Sequence, residues 1–259
     1  MTQWWCAATG APWTWAWQAY PGIWLFVLLV AAFGILAERR HRAAGAAPAT
    51  GRVGWYAGGT LTVWLALDWP IGPLGAGYLV SAHTLTYILL TMLAAPCLIL
   101  GARHWGTPGS PVRRLAAHPL LGALVYHLAL FATHIPSISD RALRSPVGSA
   151  LVDTVWLVGG LALWWPVVAR REDRRLSRPL SMLYLFAMTL LPTIPAAVLT
   201  FADFPKYTLF EFAPRVFPIL DAATDQQLAG LLMKLAADPF LIAGIGMAYL
   251  KWQREERAA

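Results

Sequence analysis

Leu79–Leu100 reads LVSAHTLTYILLTMLAAPCLIL, a run without Asp, Glu, Lys or Arg. A helix needs about 20 apolar residues to cross the hydrocarbon of a bilayer, and this run is long enough. A barrel strand would alternate in polarity over about ten residues. This stretch does not alternate, so it reads as a transmembrane helix.

Six similar runs surround it, near Tyr20–Ala37, Val53–Leu67, Leu115–His134, Ala150–Ala169, Leu180–Phe201 and Gln226–Tyr249. The expected fold is all-α: one membrane domain over residues 1–259, with seven transmembrane helices. Only 13% of the 259 residues are charged, against about 25% in soluble domains. Fourteen Trp suit the interface between lipid and water. The first fifteen residues hold Trp4, Trp5, Trp13 and Trp15 and no basic residue, unlike a secretory leader. Cys6 and Cys97 are too few for a disulfide framework.

Loop charge sets the expected orientation. Fifteen of the 20 Lys and Arg fall on one side. They are Arg39, Arg40, Arg42 and Arg52; Arg103, Arg113 and Arg114; Arg170, Arg171, Arg174, Arg175 and Arg178; and Lys251, Arg254 and Arg257. The other side holds Arg141, Arg144, Lys206 and Arg215. Basic loops stay cytoplasmic, so the C-terminus is expected inside and the N-terminus outside. The net charge of +7 therefore reports topology and gives no reason to expect a nucleic-acid partner. Ala43–Gly51 reads as a flexible inner loop. The long outer segment, about Ala202–Asp225, is rich in Pro and aromatics and is expected to close over the helix ends.

Ionisable residues within lipid are costly, so each is a candidate functional group. At about 1.5 Å of rise per residue, His83 lies roughly 7–8 Å below the outer end of the third span. Tyr87 is one turn deeper on the same face. His134 ends the fourth span, and His127 lies two turns deeper. Asp153 is about one turn into the fifth span, Asp68 ends the second and Asp225 begins the seventh. Asp68, His83, His134, Asp153 and Asp225 thus share an outer-leaflet depth and are the candidate metal ligands. Imidazoles with carboxylates suit a divalent transition ion; copper(I) prefers softer partners, such as Met92, Met188, Met233 or Cys6.

Structural explanations compete for most of these groups. A lone His in a bundle can simply bond a neighbouring helix. Asp68, before Trp69-Pro70, can end a helix, and Asp153 can pair with Arg141 or Arg144. Met and Cys97 can be packing residues. Lys234 and Asp238 stand four apart and can neutralise each other, with a kink expected at Pro239. His41, His104 and His118 border basic loops and read as solvated. Phosphate-loop, nucleophile-elbow and zinc-protease motifs are absent from the sequence, so no enzyme activity is expected.

Several stretches resemble the CtaG family of membrane proteins, which assist assembly of the copper centre of cytochrome c oxidases. They are Asp68-Trp69-Pro70, Ser81-Ala82-His83, Leu93-Ala94-Ala95-Pro96 and Leu100-Gly101. Thr133-His134-Ile135-Pro136 with Asp140-Arg141-Ala142-Leu143, and Gly159-Gly160-Leu161 with Trp164-Trp165-Pro166, continue the likeness. Asp225-Gln226-Gln227-Leu228-Ala229-Gly230 is its most distinctive piece. The resemblance covers about residues 50–255. Three positions depart from it. Tyr87 stands where the family commonly has a second His. Val152 and Asp153 stand in place of a Glu-His pair, and Lys234 in place of Trp after Met233.

The resemblance implies an assembly factor in a bacterial plasma membrane, handling copper at the outer face. Its partners would be the lipid bilayer, an oxidase subunit and another copper chaperone. Fewer imidazoles imply weaker metal retention. A metal-free docking subunit is the alternative reading. A haem protein with His83 and either His127 or His134 as axial ligands is a further one.

Overall fold

The computed structural model describes residues 3–45, 50–102, 104, 105, 107, 109–170, 173 and 175–257. Arg103, Arg171, Arg174 and residues 46–49 of the expected inner loop lie outside them. Apart from breaks at Ala117-His118, Leu191-Pro192 and Ala236-Ala237, the expected spans fall on helices. They are α1 (Pro21–Ala43), α2 (Thr50–Leu67), α3 (Ile71–Gly77), and α4 (Val80–Ile88), which runs through a π-helical turn (Leu89–Ala94) into α5 (Ala95–Ala102). Then come α6 (Pro111–Ala116), α7 (Pro119–His134), α8 (Pro136–Ala142) and α9 (Pro146–Val168). The chain ends with α10 (Arg178–Leu190), α11 (Thr193–Phe201), α12 (Thr208–Glu211), α13 (Ala222–Leu235) and α14 (Asp238–Arg257). Among the described residues there is no strand.

Five of these segments are long and apolar enough to cross a membrane, and the bent pair α7–α8 would make a sixth. The α2 helix, the second expected span, is not among the five. It is only 18 residues long, and Arg52, four glycines and three threonines dilute its apolar character. Gly59 instead lets it approach the middle of the bundle. A Cβ there would stand 2.8 Å from Leu98.

Proline punctuates the helices. It sits in the first turn of α1, α6, α7, α8, α9 and α10, where its missing N–H costs nothing and its φ is already helical. Ile135, before Pro136, is extended (φ −74°, ψ 119°), as the residue before proline tends to be. The chain bends by 78° there. The sequence predicts a kink at Pro239. The break falls slightly earlier, at Ala236-Ala237, with Asp238-Pro239 opening α14.

Pro96 has a different consequence. The Ala95 N–H bonds back to the Leu90 carbonyl, five residues away, and Pro96 has no N–H to offer Thr91. The Thr91 carbonyl is therefore left without a helical donor, and the Trp164 indole N–H fills the gap at 3.0 Å. Gly160 makes this approach possible, since a Cβ there would lie 2.7 Å from Thr91 Cα. Leu90, Met92, Trp156, Leu163, Met188, Met233 and Leu241 fill the apolar core around this contact.

Candidate functional site

His83 and His134 come together on one indole. The His83 ring centroid lies 4.6 Å from that of Trp156, and His134 lies 6.4 Å from it. Tyr87 completes the cluster, 5.5 Å from His134 and 5.6 Å from Trp156. Its hydroxyl is shared with Tyr126 at 2.6 Å. Trp156 is fully buried, and its N–H donates to Thr133 Oγ1 at 2.7 Å. The residue beside His134 thus orients the indole that both imidazoles touch.

The ring nitrogens are not equivalent. His134 Nδ1 lies 2.8 Å from the Leu130 carbonyl. A carbonyl only accepts, so Nδ1 carries the proton and Nε2 keeps a lone pair. His83 is 6% exposed, and its backbone packs closely on Gly75. Its Nε2 is buried without a hydrogen-bond partner. His127 bonds within its own helix, to the Ala123 carbonyl at 2.8 Å, rather than to a neighbour.

The segment of residues 202–225 closes over this cluster, as the sequence suggests. Phe210 is buried and its ring stands 5.7 Å from His83. Tyr207 donates to the His134 carbonyl at 3.1 Å. Asp140 fastens the cover by accepting from the Thr208 N–H at 2.9 Å and the Thr208 hydroxyl at 2.6 Å. Gln226 holds its near edge, accepting from the Lys206 N–H at 2.6 Å.

The three candidate aspartates are engaged elsewhere. Asp225 accepts from Val80 N–H at 2.6 Å, from Ser81 N–H at 3.3 Å and from the Ser81 hydroxyl. It therefore anchors the start of α4, the helix that carries His83. Asp68 ends α2 and accepts from the indoles of Trp24 at 2.9 Å and Trp64 at 2.7 Å. Asp153 accepts from Trp5 at 2.8 Å, not from Arg141 or Arg144. Asp68 and Asp153 both lie near the Cys6 thiol. Among the described residues, no group of three or more His, Cys, Asp or Glu is placed to hold a metal ion.

The N-terminal segment was not legible as part of this region. Trp5 and Cys6 are buried. Trp4 O accepts from Gly22 N–H at 2.8 Å, Ala8 N–H donates to Leu143 O at 2.9 Å, and Tyr78 donates to Ala11 O at 2.8 Å. Only its four early Trp hinted at such a role. Elsewhere, Lys234 and Asp238 pair at 2.8 Å, as expected. Lys234 also donates to Thr189 O at 2.9 Å and Thr193 Oγ1 at 2.8 Å, which ties α13 to the α10–α11 break.

The donor set fits a transition ion in one respect: a buried imidazole, His83, and a half-buried one, His134, flank one indole, and imidazole suits copper among others. Met92, Met188 and Met233 belong to the apolar core. Comparison with curated proteins and with solved structures finds no match. A family model described as cytochrome c oxidase caa3 assembly factor (Caa3_CtaG) matches residues 31–255. With nearly its whole length matched and with several helices apolar enough to cross a bilayer, the chain belongs to the caa3-type cytochrome c oxidase assembly factors.

Proposed function

We propose that this assembly factor carries copper to its oxidase at the outer face of the bacterial plasma membrane. It crosses the membrane seven times, with its N-terminus outside. The observation that carries the reading is the His83 Nε2, buried and without a partner on the same indole as His134. A buried polar atom left unpaired costs about 1–3 kcal/mol, and a bound ion would offset that cost. Copper is the cargo; His83 and His134 are its donors. Asp225 positions His83 through α4. Asp68 and Asp153 act from the neighbouring Cys6 region, as orienting groups rather than ligands. With two imidazoles and, among the described residues, no third strong donor beside them, retention is weak, which suits delivery to an oxidase subunit and reloading by another chaperone.

The test is oxidase assembly in cells lacking the chain. Wild-type protein is expected to restore oxidase with its full copper-to-haem ratio. His83→Ala/His134→Ala, present in membranes at the wild-type level, is expected to yield copper-poor oxidase. Full copper with the double variant would leave the metal-free docking role, which the separate engagement of the three aspartates favours.

A further inference from the structure

A cavity of about 580 Å3 lies away from the imidazoles, in the cleft between α1 and α2. Val27, Ala31 and Ile35 form one apolar wall, and Ala57, Leu61 and Trp64 the other. Tyr56 closes the floor, its hydroxyl donating to the Val30 carbonyl at 2.9 Å. Only one end is charged, where Glu38, Arg39 and Arg42 line the cleft. Glu38 is already held there, by Arg42 at 2.9 Å and by the Trp105 indole at 3.0 Å. The two arginines leave that end with net positive charge. The helix α1 buries just 17% of its most apolar stretch, so the cleft opens to lipid.

The dimensions favour one kind of occupant. From Val27 to Arg42 the wall runs roughly 22 Å at about 1.5 Å per residue. One leaflet of hydrocarbon is about 15 Å deep, half of a core of about 30 Å. A partner helix of that length, about 10 Å across, would fill roughly 1,700 Å3. That is far more than the cleft holds, so such a helix could only rest on the rim. An alkyl chain fits within. A trough that is apolar along its length and cationic at one end complements an amphiphile with an anionic head.

We propose that the α1–α2 cleft binds one anionic phospholipid, its acyl chain along Ala31 and Ala57 and its phosphate at Arg39 and Arg42. The site is independent of the copper reading. The test reconstitutes the full chain in nanodiscs of equal phosphatidylglycerol and phosphatidylcholine, then counts retained lipids by native mass spectrometry. Wild type is expected to keep one phosphatidylglycerol in preference. Arg39→Gln leaves the Arg42–Glu38 pair intact and is expected to cut that preference roughly fivefold, the contribution of one basic residue near an anionic surface. Ala57→Trp, at an exposed position, fills the trough and is expected to lower retention of both lipids. Equal retention of the two lipids by wild type overturns the proposal, as does a preference unchanged in both variants. Copper binding is expected to be unaffected by either substitution.

Discussion

Asp225 grips Ser81 twice, accepting from its backbone N–H at 3.3 Å and from its hydroxyl. With the Val80 N–H at 2.6 Å, three donors at the start of α4 converge on one buried carboxylate. The first N–H groups of a helix have no partner within it, and in an apolar bundle no water replaces one. The carboxylate therefore fixes the end of the helix two residues before His83. Asp225→Ala is expected to destabilise the protein by about 1–3 kcal/mol, the cost of leaving such donors unpaired. Asp225→Asn, which still accepts through its amide oxygen, is expected to cost less. Thermal unfolding in detergent checks the order, and an Asp225→Ala protein as stable as wild type would contradict it.

The Trp5–Asp153 bond at 2.8 Å fastens the N-terminal segment to α9. Trp5→Phe keeps most of the ring but removes the donor. A typical hydrogen bond contributes about 0.5–1.5 kcal/mol net, and a loss of that order is expected here. It should appear first as faster proteolysis within residues 3–20 and slower loss of the bundle. Equal proteolysis of both proteins would show that the segment is held by packing alone.

Trp164 and Gly160 act as a unit, because the indole reaches the Thr91 carbonyl only where α9 lies close to the π-helical turn. Gly160→Val is expected to cost more than the 1–3 kcal/mol of overpacking typical of cores, since backbone rather than a flexible side chain blocks the new methyls. Trp164→Phe is expected to cost about 1–3 kcal/mol through the unpaired carbonyl. Together they are expected to cost less than the sum of the two, as coupled sites do. A double-mutant cycle in detergent measures the coupling, and strict additivity would refute it.

Asp173 sets an acid limit on stability. Burial pushes its carboxyl up, but Arg113 and the Gly109 N–H more than offset that and hold it below the usual carboxylate range. Arg113 reaches it at 2.7 Å, with the Asp173 side chain fully buried. A lowered native value means that the pair adds stability fully above about pH 4, the ordinary carboxylate value. The gain is lost as pH falls through the lower native value. Asp173→Asn is expected to cost about 3–5 kcal/mol near pH 7, as breaking a buried pair does, with the gap to wild type closing on acidification. Melting curves against pH check this; a gap that stays constant would contradict it.

The helices were legible because lipid imposes a length and a composition on every span, and proline marks where helices start. The Leu89–Ala94 π turn was not legible: Pro96 leaves the Thr91 carbonyl free, but the indole that satisfies it, Trp164, comes from a distant span. His83 and His134 stood out through the cost of polar groups in lipid. Trp156, which unites them, did not, since an aromatic in an apolar span is unremarkable. The depths of Asp68, Asp153 and Asp225 were readable, but their partners were not. Trp5, Trp24, Trp64 and Ser81 are far away in sequence or chemically ordinary, and each satisfies a carboxylate that otherwise looks like a metal ligand.

The central claim concerns the paired imidazoles. Purified protein titrated with copper(I) against a competing chelator measures it directly. Wild type is expected to bind one weakly held ion per chain, and His83→Ala or His134→Ala alone to lose most of that affinity. Indistinguishable curves for wild type and the His83→Ala/His134→Ala protein would remove copper from the account and leave a family member that assembles its oxidase without touching the metal.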